Sequence, residues 1–176
     1  MSPPDRELPK LFWNICLFRR GPQDVPANDA LTTVLLLLTA GVGTLIVYIN
    51  FPLVTALRAG VVDAVFVWAT TAALLVLFRH PGRIRQTFCA IAGSGIVISL
   101  LALPLIYWGH VAGEANPDAV TPSLMLTILI FWNISINAHV YRHALGSDRL
   151  GGLAAALVIF AINQFVGSLL LPSPQG

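Results

Sequence analysis

The chain has 176 residues, of which 56% are hydrophobic and only 10% charged, and its formal net charge is +2. A soluble domain carries about 25% charged residues, so this composition excludes an ordinary water-soluble fold. The few, dispersed cations exclude a nucleic-acid groove, and the ten Lys and Arg matter chiefly for where they fall relative to the apolar runs.

The opening MSPPDRELPK is polar and proline-rich. Beyond it, Leu8, Leu11, Phe12, Ile15 and Phe18 recur near a 3.6 period, with Trp13 and Leu17 widening the same face. This stretch is too short to span a bilayer and ends at Arg19-Arg20. It predicts a short amphipathic helix lying in the cytoplasmic interface, or a cap packed on the ends of the spans. Gly21-Pro22 then breaks the helix, and Asn28 or Asp29 supplies the next N-cap. No cleavable leader is expected, because the first long apolar run starts near Leu31 and lacks an AxA-type site before a polar mature domain.

Five spans follow. The first covers residues 30–50, about 31 Å at 1.5 Å per residue, with small residues from Ala40 to Thr44 where another helix could approach closely. Asn50-Phe51-Pro52 closes it, and a short external connection carries Arg58. The second runs from about Gly60 to Phe78 and ends in a basic turn holding Arg79, His80, Arg83 and Arg85. The third, Thr87 to Trp108, carries a second small-residue patch from Ala90 to Gly95, a Pro104 kink and a Tyr107-Trp108 belt. GHVAGEANPDAV, without Lys or Arg, reads as an outer loop.

The fourth span, Thr121 to Leu145, has the clearest limits, with Pro122 in its first turn and Gly146 as its stop. Ser147 or Asp148 caps the fifth span, Gly151 to Leu171. On this reading nine of the ten cations fall at the amino terminus and the two inner loops, and Arg58 alone lies outside. That bias predicts an inner membrane protein with its amino terminus in the cytoplasm and its carboxyl terminus outside. The expected organisation is a cytoplasmic segment over residues 1–29, one five-helix transmembrane domain over 30–171, and an outward-facing tail over 172–176.

The basic segment LFWNICLFRRGPQDVP, five closely spaced apolar segments, and a Trp-containing fourth span followed by a His/Arg/Gly turn and an Ala-rich fifth together resemble the Yip1-like family of small integral membrane proteins, in particular its bacterial members. The resemblance covers most of the chain and rests on layout. It implies a scaffold or interaction role and brings no catalytic residues.

The residues that stand out are polar groups inside apolar runs. Asp63 lies about one turn inside the outer end of the second span as read here, where pairing with Arg58 is the structural reading and a proton or cation site the functional one. Asn133 and Asn163 fall about 12 residues from the outer and inner starts of their helices. As antiparallel neighbours they would meet near mid-membrane, pairing directly as glue. Asn137, Gln164 and His139 extend that face, and the functional reading is a polar path or headgroup pocket opening inward past Asn137 toward His139.

His139 and His143 have the i,i+4 spacing of metal ligands but lack a third ligand nearby, so no metal site is assigned. With Arg19, Arg20, Arg79, Arg83, Arg85 and Arg142 they read as a basic rim contacting anionic lipid headgroups. Cys16 and Cys89 read as small hydrophobes, and His110 with Glu114 as a solvated loop pair. No GxxxxGK[ST], GxSxG, HExxH or CxxC motif occurs, so no enzyme and no cofactor are expected. Two functions remain. The first is a non-enzymatic scaffold or assembly factor, binding other membrane proteins or a second copy through its small-residue patches and the polar face at Asn133 and Asn137. The alternative is a small transporter or lipid-handling protein with an inward-facing polar pocket.

Overall fold

The computed structural model describes residues 7–115 and 120–170, and among them every regular element is helical. In chain order these are α1 (Leu8–Cys16), α2 (Asp29–Tyr48), α3 (Leu53–Leu77), α4 (Ile84–Ala115), α5 (Thr121–Leu145) and α6 (Arg149–Leu170), with 3₁₀ turns at Pro22–Asp24 and Pro81–Arg83. Helices α2 to α6 are long and apolar enough to cross a membrane. The tail over residues 172–176, Arg6 and the side chain of Glu114 lie outside the described residues.

The helix ends follow local chemistry. Asn28 caps α2, its Oδ1 accepting from the Leu31 amide at 2.9 Å. Helix α5 keeps its expected limits, because Pro122 suits a first turn and Gly146 closes the last turn at φ 63°, a left-handed conformation open to glycine. Asp148 Oδ1 accepts from the Gly151 amide at 2.8 Å to start α6.

Two expected boundaries are corrected. Pro52 starts α3 instead of leading into a loop, so the helix begins at Leu53 and Arg58 and Gly60 are both inside it. Helix α4 continues past Trp108 to Ala115 with Pro104 in its interior, which puts His110 on a helix, its Nδ1 3.1 Å from Asn50 Oδ1.

Two antiparallel hairpins, α2 with α3 and α5 with α6, pack on either side of α4. The first hairpin is close at Gly60, where a Cβ would overlap Thr44 Oγ1, the Ala40 carbonyl and the Thr44 amide. That absence of a side chain lets the two backbones meet. At Gly93 a Cβ would overlap the Phe12 ring instead. Helix α1 therefore packs as a cap in the seam of α4 and α5, with Phe12, Ile15 and Cys16 buried. Phe12, Ile15 and Cys16 are thus covered by protein, while Lys10 and Trp13 stay exposed. The Trp132 indole donates to the Cys16 carbonyl at 3.0 Å, and the Trp13 and Trp132 rings meet edge-on at 6.4 Å.

Because consecutive spans run antiparallel, Arg79, Arg83, Arg85, Arg142 and Arg149 collect at one end of the bundle. Arg20 joins them, its carbonyl 3.1 Å from His139 Nε2. Arg58 sits near the start of α3, at the opposite end.

Candidate functional site: a polar cavity within the bundle

Five of the polar residues that interrupt the apolar runs converge on one cavity of about 420 Å³. They are Asp63 on α3, Asn133 and Asn137 on α5, and Asn163 and Gln164 on α6. The cavity lies between the two hairpins with α4 on its flank, where Gly95 and Ser99 face it. Helix α3 meets α6 over a short stretch only, so the hairpins diverge and leave room. At 1.5 Å per residue, Asp63 lies about 15 Å from the start of α3 and Asn133 about 18 Å from the start of α5. Both are near mid-span, deeper than expected for Asp63, because α3 starts earlier than its composition suggests.

The side chains pair differently from the expected glue. Asn137 Nδ2 donates to Asn133 Oδ1 at 2.8 Å along α5. The Asn163 side chain on α6 stands near the Asp63 carboxylate on α3, both lining the cavity. Asn133 and Asn163 thus share the cavity without being each other's partner. The expected Asp63–Arg58 pair does not form among the described residues. Five residues separate the two, about 140° around the helix, and Arg58 is exposed at the bundle end.

His139 is not part of the cavity. Two positions after Asn137, it points about 200° away around α5. Its Nε2 must carry the proton, since it meets the Arg20 carbonyl at 3.1 Å. Its ring meets Phe18 edge-on at 5.5 Å and His143 at 4.6 Å. The predicted inward path from Asn137 to His139 is therefore replaced by a clamp on the amino-terminal segment. The cavity lining instead extends toward Val47, Ala59 and Gly167, at the end remote from the basic loops. Among the described residues no group of three His, Cys, Asp or Glu is placed to hold a metal.

Of the predicted headgroup arginines, three are engaged by the protein. Arg83 Nη1 donates to the Ala144 carbonyl at 2.9 Å, closing the last turn of α5. Arg85 Nε lies 3.0 Å from Asp29 Oδ1, and Arg20 Nη1 3.1 Å from Asp24 Oδ1. Arg19, Arg79 and Arg142 complete the same basic end. Cys16 and Cys89 are free and buried. Burial pushes the Cys16 thiol up to about 11.

Sequence reasoning missed Thr39 and Ser99, which also face the cavity. Thr39 Oγ1 is buried and has no hydrogen-bond partner among the described residues. A single hydroxyl in an apolar run commonly bonds back to its own helix, as Thr44 does to the Ala40 carbonyl at 2.8 Å, so neither residue carries a sequence signal. Comparison with protein-family models, curated proteins and solved structures gave no match.

Proposed function

We propose that this chain is a multi-span membrane protein that takes a small polar or amphipathic molecule into its intramembrane cavity, as a transporter or lipid-handling protein and not as an enzyme. The supporting observation is the convergence of Asp63, Asn133, Asn137, Asn163 and Gln164, from three helices, on one cavity. An aspartate at a helix centre costs about 2.5–3.5 kcal/mol on insertion scales, so burying it beside several amides calls for a compensating role. A volume of about 420 Å³ is within the range of small-molecule sites.

The scaffold reading drew on the small-residue patches and on the face of Asn133 and Asn137; that face lines the cavity, and the central contacts of the patches are spent inside the chain. Ala40 and Thr44 receive Gly60, and Gly93 receives Phe12. We further propose a bacterial inner membrane with the basic end cytoplasmic, where Arg19, Arg79 and Arg142 would face anionic headgroups. The Yip1-like layout accommodates this reading as well as a scaffold.

The test is cysteine accessibility in a background lacking Cys16 and Cys89. Ser99→Cys and Asn163→Cys in native membranes are expected to react with a charged, water-soluble thiol reagent. Ile128→Cys, on an exposed apolar face of α5, is expected to stay unreactive. Equal protection of all three would overturn the cavity reading.

A further inference from the structure

Resting on the proposed cavity, the residue chemistry also defines the class of molecule that would occupy it. Among the described residues Asp63 is the single ionisable side chain in the lining. No Lys, Arg or His faces the cavity among the described residues. A carboxylate or phosphate inside would therefore meet like charge with no compensating cation, which argues against anionic solutes and against phospholipid headgroups. A neutral solute would leave Asp63 unpaired or protonated, whereas a cation pairs with the carboxylate directly.

Around Asp63 the polar groups include the amides of Asn133 and Asn163 and the hydroxyls of Thr39 and Ser99. All carry acceptor oxygens, and Thr39 Oγ1 is both buried and unpartnered. On the same helices, between these polar groups, the lining includes Val42, Ile46, Val62, Val67, Ile96 and Val166. Among the described residues the lining contains no Phe, Tyr or Trp, whereas sites for quaternary ammonium groups use aromatic faces. The volume also exceeds the roughly 30 Å³ of one water by more than tenfold, too large for a bare inorganic ion.

We propose that the cavity binds an organic monocation in which a primary ammonium group, donating to Asp63 and the neighbouring amide and hydroxyl oxygens, is joined to a short aliphatic body. One carboxylate balances one charge, three N–H donors match the surrounding acceptors, and the aliphatic body meets the valine and isoleucine side chains that share the lining.

The probes are n-hexylammonium, hexyltrimethylammonium, 1-hexanol and hexanoate, titrated calorimetrically into the full chain in lipid nanodiscs, with empty nanodiscs subtracted. Saturable binding of n-hexylammonium at least tenfold tighter than the other three is expected, with at least a tenfold loss in Asp63→Asn. Asp29→Asn, which removes an exposed carboxylate at the basic end, is expected to bind like the wild type. If hexanol and n-hexylammonium bind equally, Asp63→Asn has no effect, and Ser99→Phe blocks both, the ammonium assignment is overturned while the cavity reading stands. If none of the four probes binds saturably, both are overturned.

Discussion

Gly60 offers the sharpest test of the helix packing. In Gly60→Ala the new methyl would overlap the Ala40 carbonyl oxygen and the Thr44 amide as well as Thr44 Oγ1. The first two are backbone atoms and cannot swing aside, so relief requires α2 and α3 to separate. Overpacking of this kind costs about 1–3 kcal/mol, set against a gain of up to about 1 kcal/mol from replacing a helical glycine by alanine. Gly41→Ala provides the reference, because nothing lies within 4 Å of a Cβ there. The two variants share the propensity gain, so the difference between them should be the steric cost of about 1–3 kcal/mol. At about 2–4 °C per kcal/mol for a chain of this size, Gly60→Ala should melt several degrees below Gly41→Ala in detergent. Thr44→Ala in the same chain should restore only part of the loss, since the backbone clashes remain. Equal melting temperatures for the two alanine variants would refute the close approach of α2 and α3.

The amino-terminal cap makes its own predictions. Trp132→Phe removes the donor to the Cys16 carbonyl and should weaken docking of α1 by about 1–2 kcal/mol, seen as faster tryptic cleavage at Arg19 and Arg20. Unchanged cleavage would contradict that role for the indole. The Cys16 thiol, raised from 9.0 to about 11 by burial, has roughly a hundredfold less thiolate at pH 8 than a free one. Its alkylation should therefore be slow in the native protein, keep rising with pH beyond 9, and become fast after denaturation. Arg83→Ala should destabilise the last turn of α5 by about 1–2 kcal/mol, measured as lost amide-exchange protection near Ala144. Arg85→Gln, which breaks an exposed pair with Asp29, should change stability by less than about 1 kcal/mol.

The five spans were legible because lipid imposes length and apolarity on each helix separately, and both are local properties of the chain. Helix α5 was bounded correctly by Pro122 and Gly146, two residues whose backbone geometry acts where they stand. Helix α3 was started too late because Pro52 and Gly60 both look like breaks. In three dimensions the proline begins the helix, and the glycine is the contact that admits α2. Helix α4 was cut short because a stretch rich in glycine and polar residues reads as a loop, yet it continues to Ala115.

The site was legible as a set of residues and not as an arrangement. Each amide was conspicuous against its apolar neighbours, but which of them meet depends on the rotation of three helices about their axes. Asn133 was expected to pair with Asn163 across the helices, whereas its partner is Asn137, four residues on along the same helix. The Asp63–Asn163 contact needed α3 and α6 side by side, although they are separated by about 70 residues of chain. His139 was assigned to the wrong face, and the 100° step between residues already separates it from Asn137. The role of α1 as a cap depended on Gly93 leaving room for Phe12, which no single helix reveals.

The central claim is that α3 and α6 bring Asp63 and Asn163 together inside the membrane. It is tested most directly by placing cysteines at both positions in a chain without Cys16 and Cys89, and treating native membranes with a short bifunctional thiosulfonate. An intramolecular crosslink between Asp63→Cys and Asn163→Cys is predicted, with none between Asp63→Cys and Ile128→Cys. No crosslink between the first pair, when Gly43→Cys crosslinks efficiently to Asp63→Cys across the α2–α3 hairpin, would contradict the account.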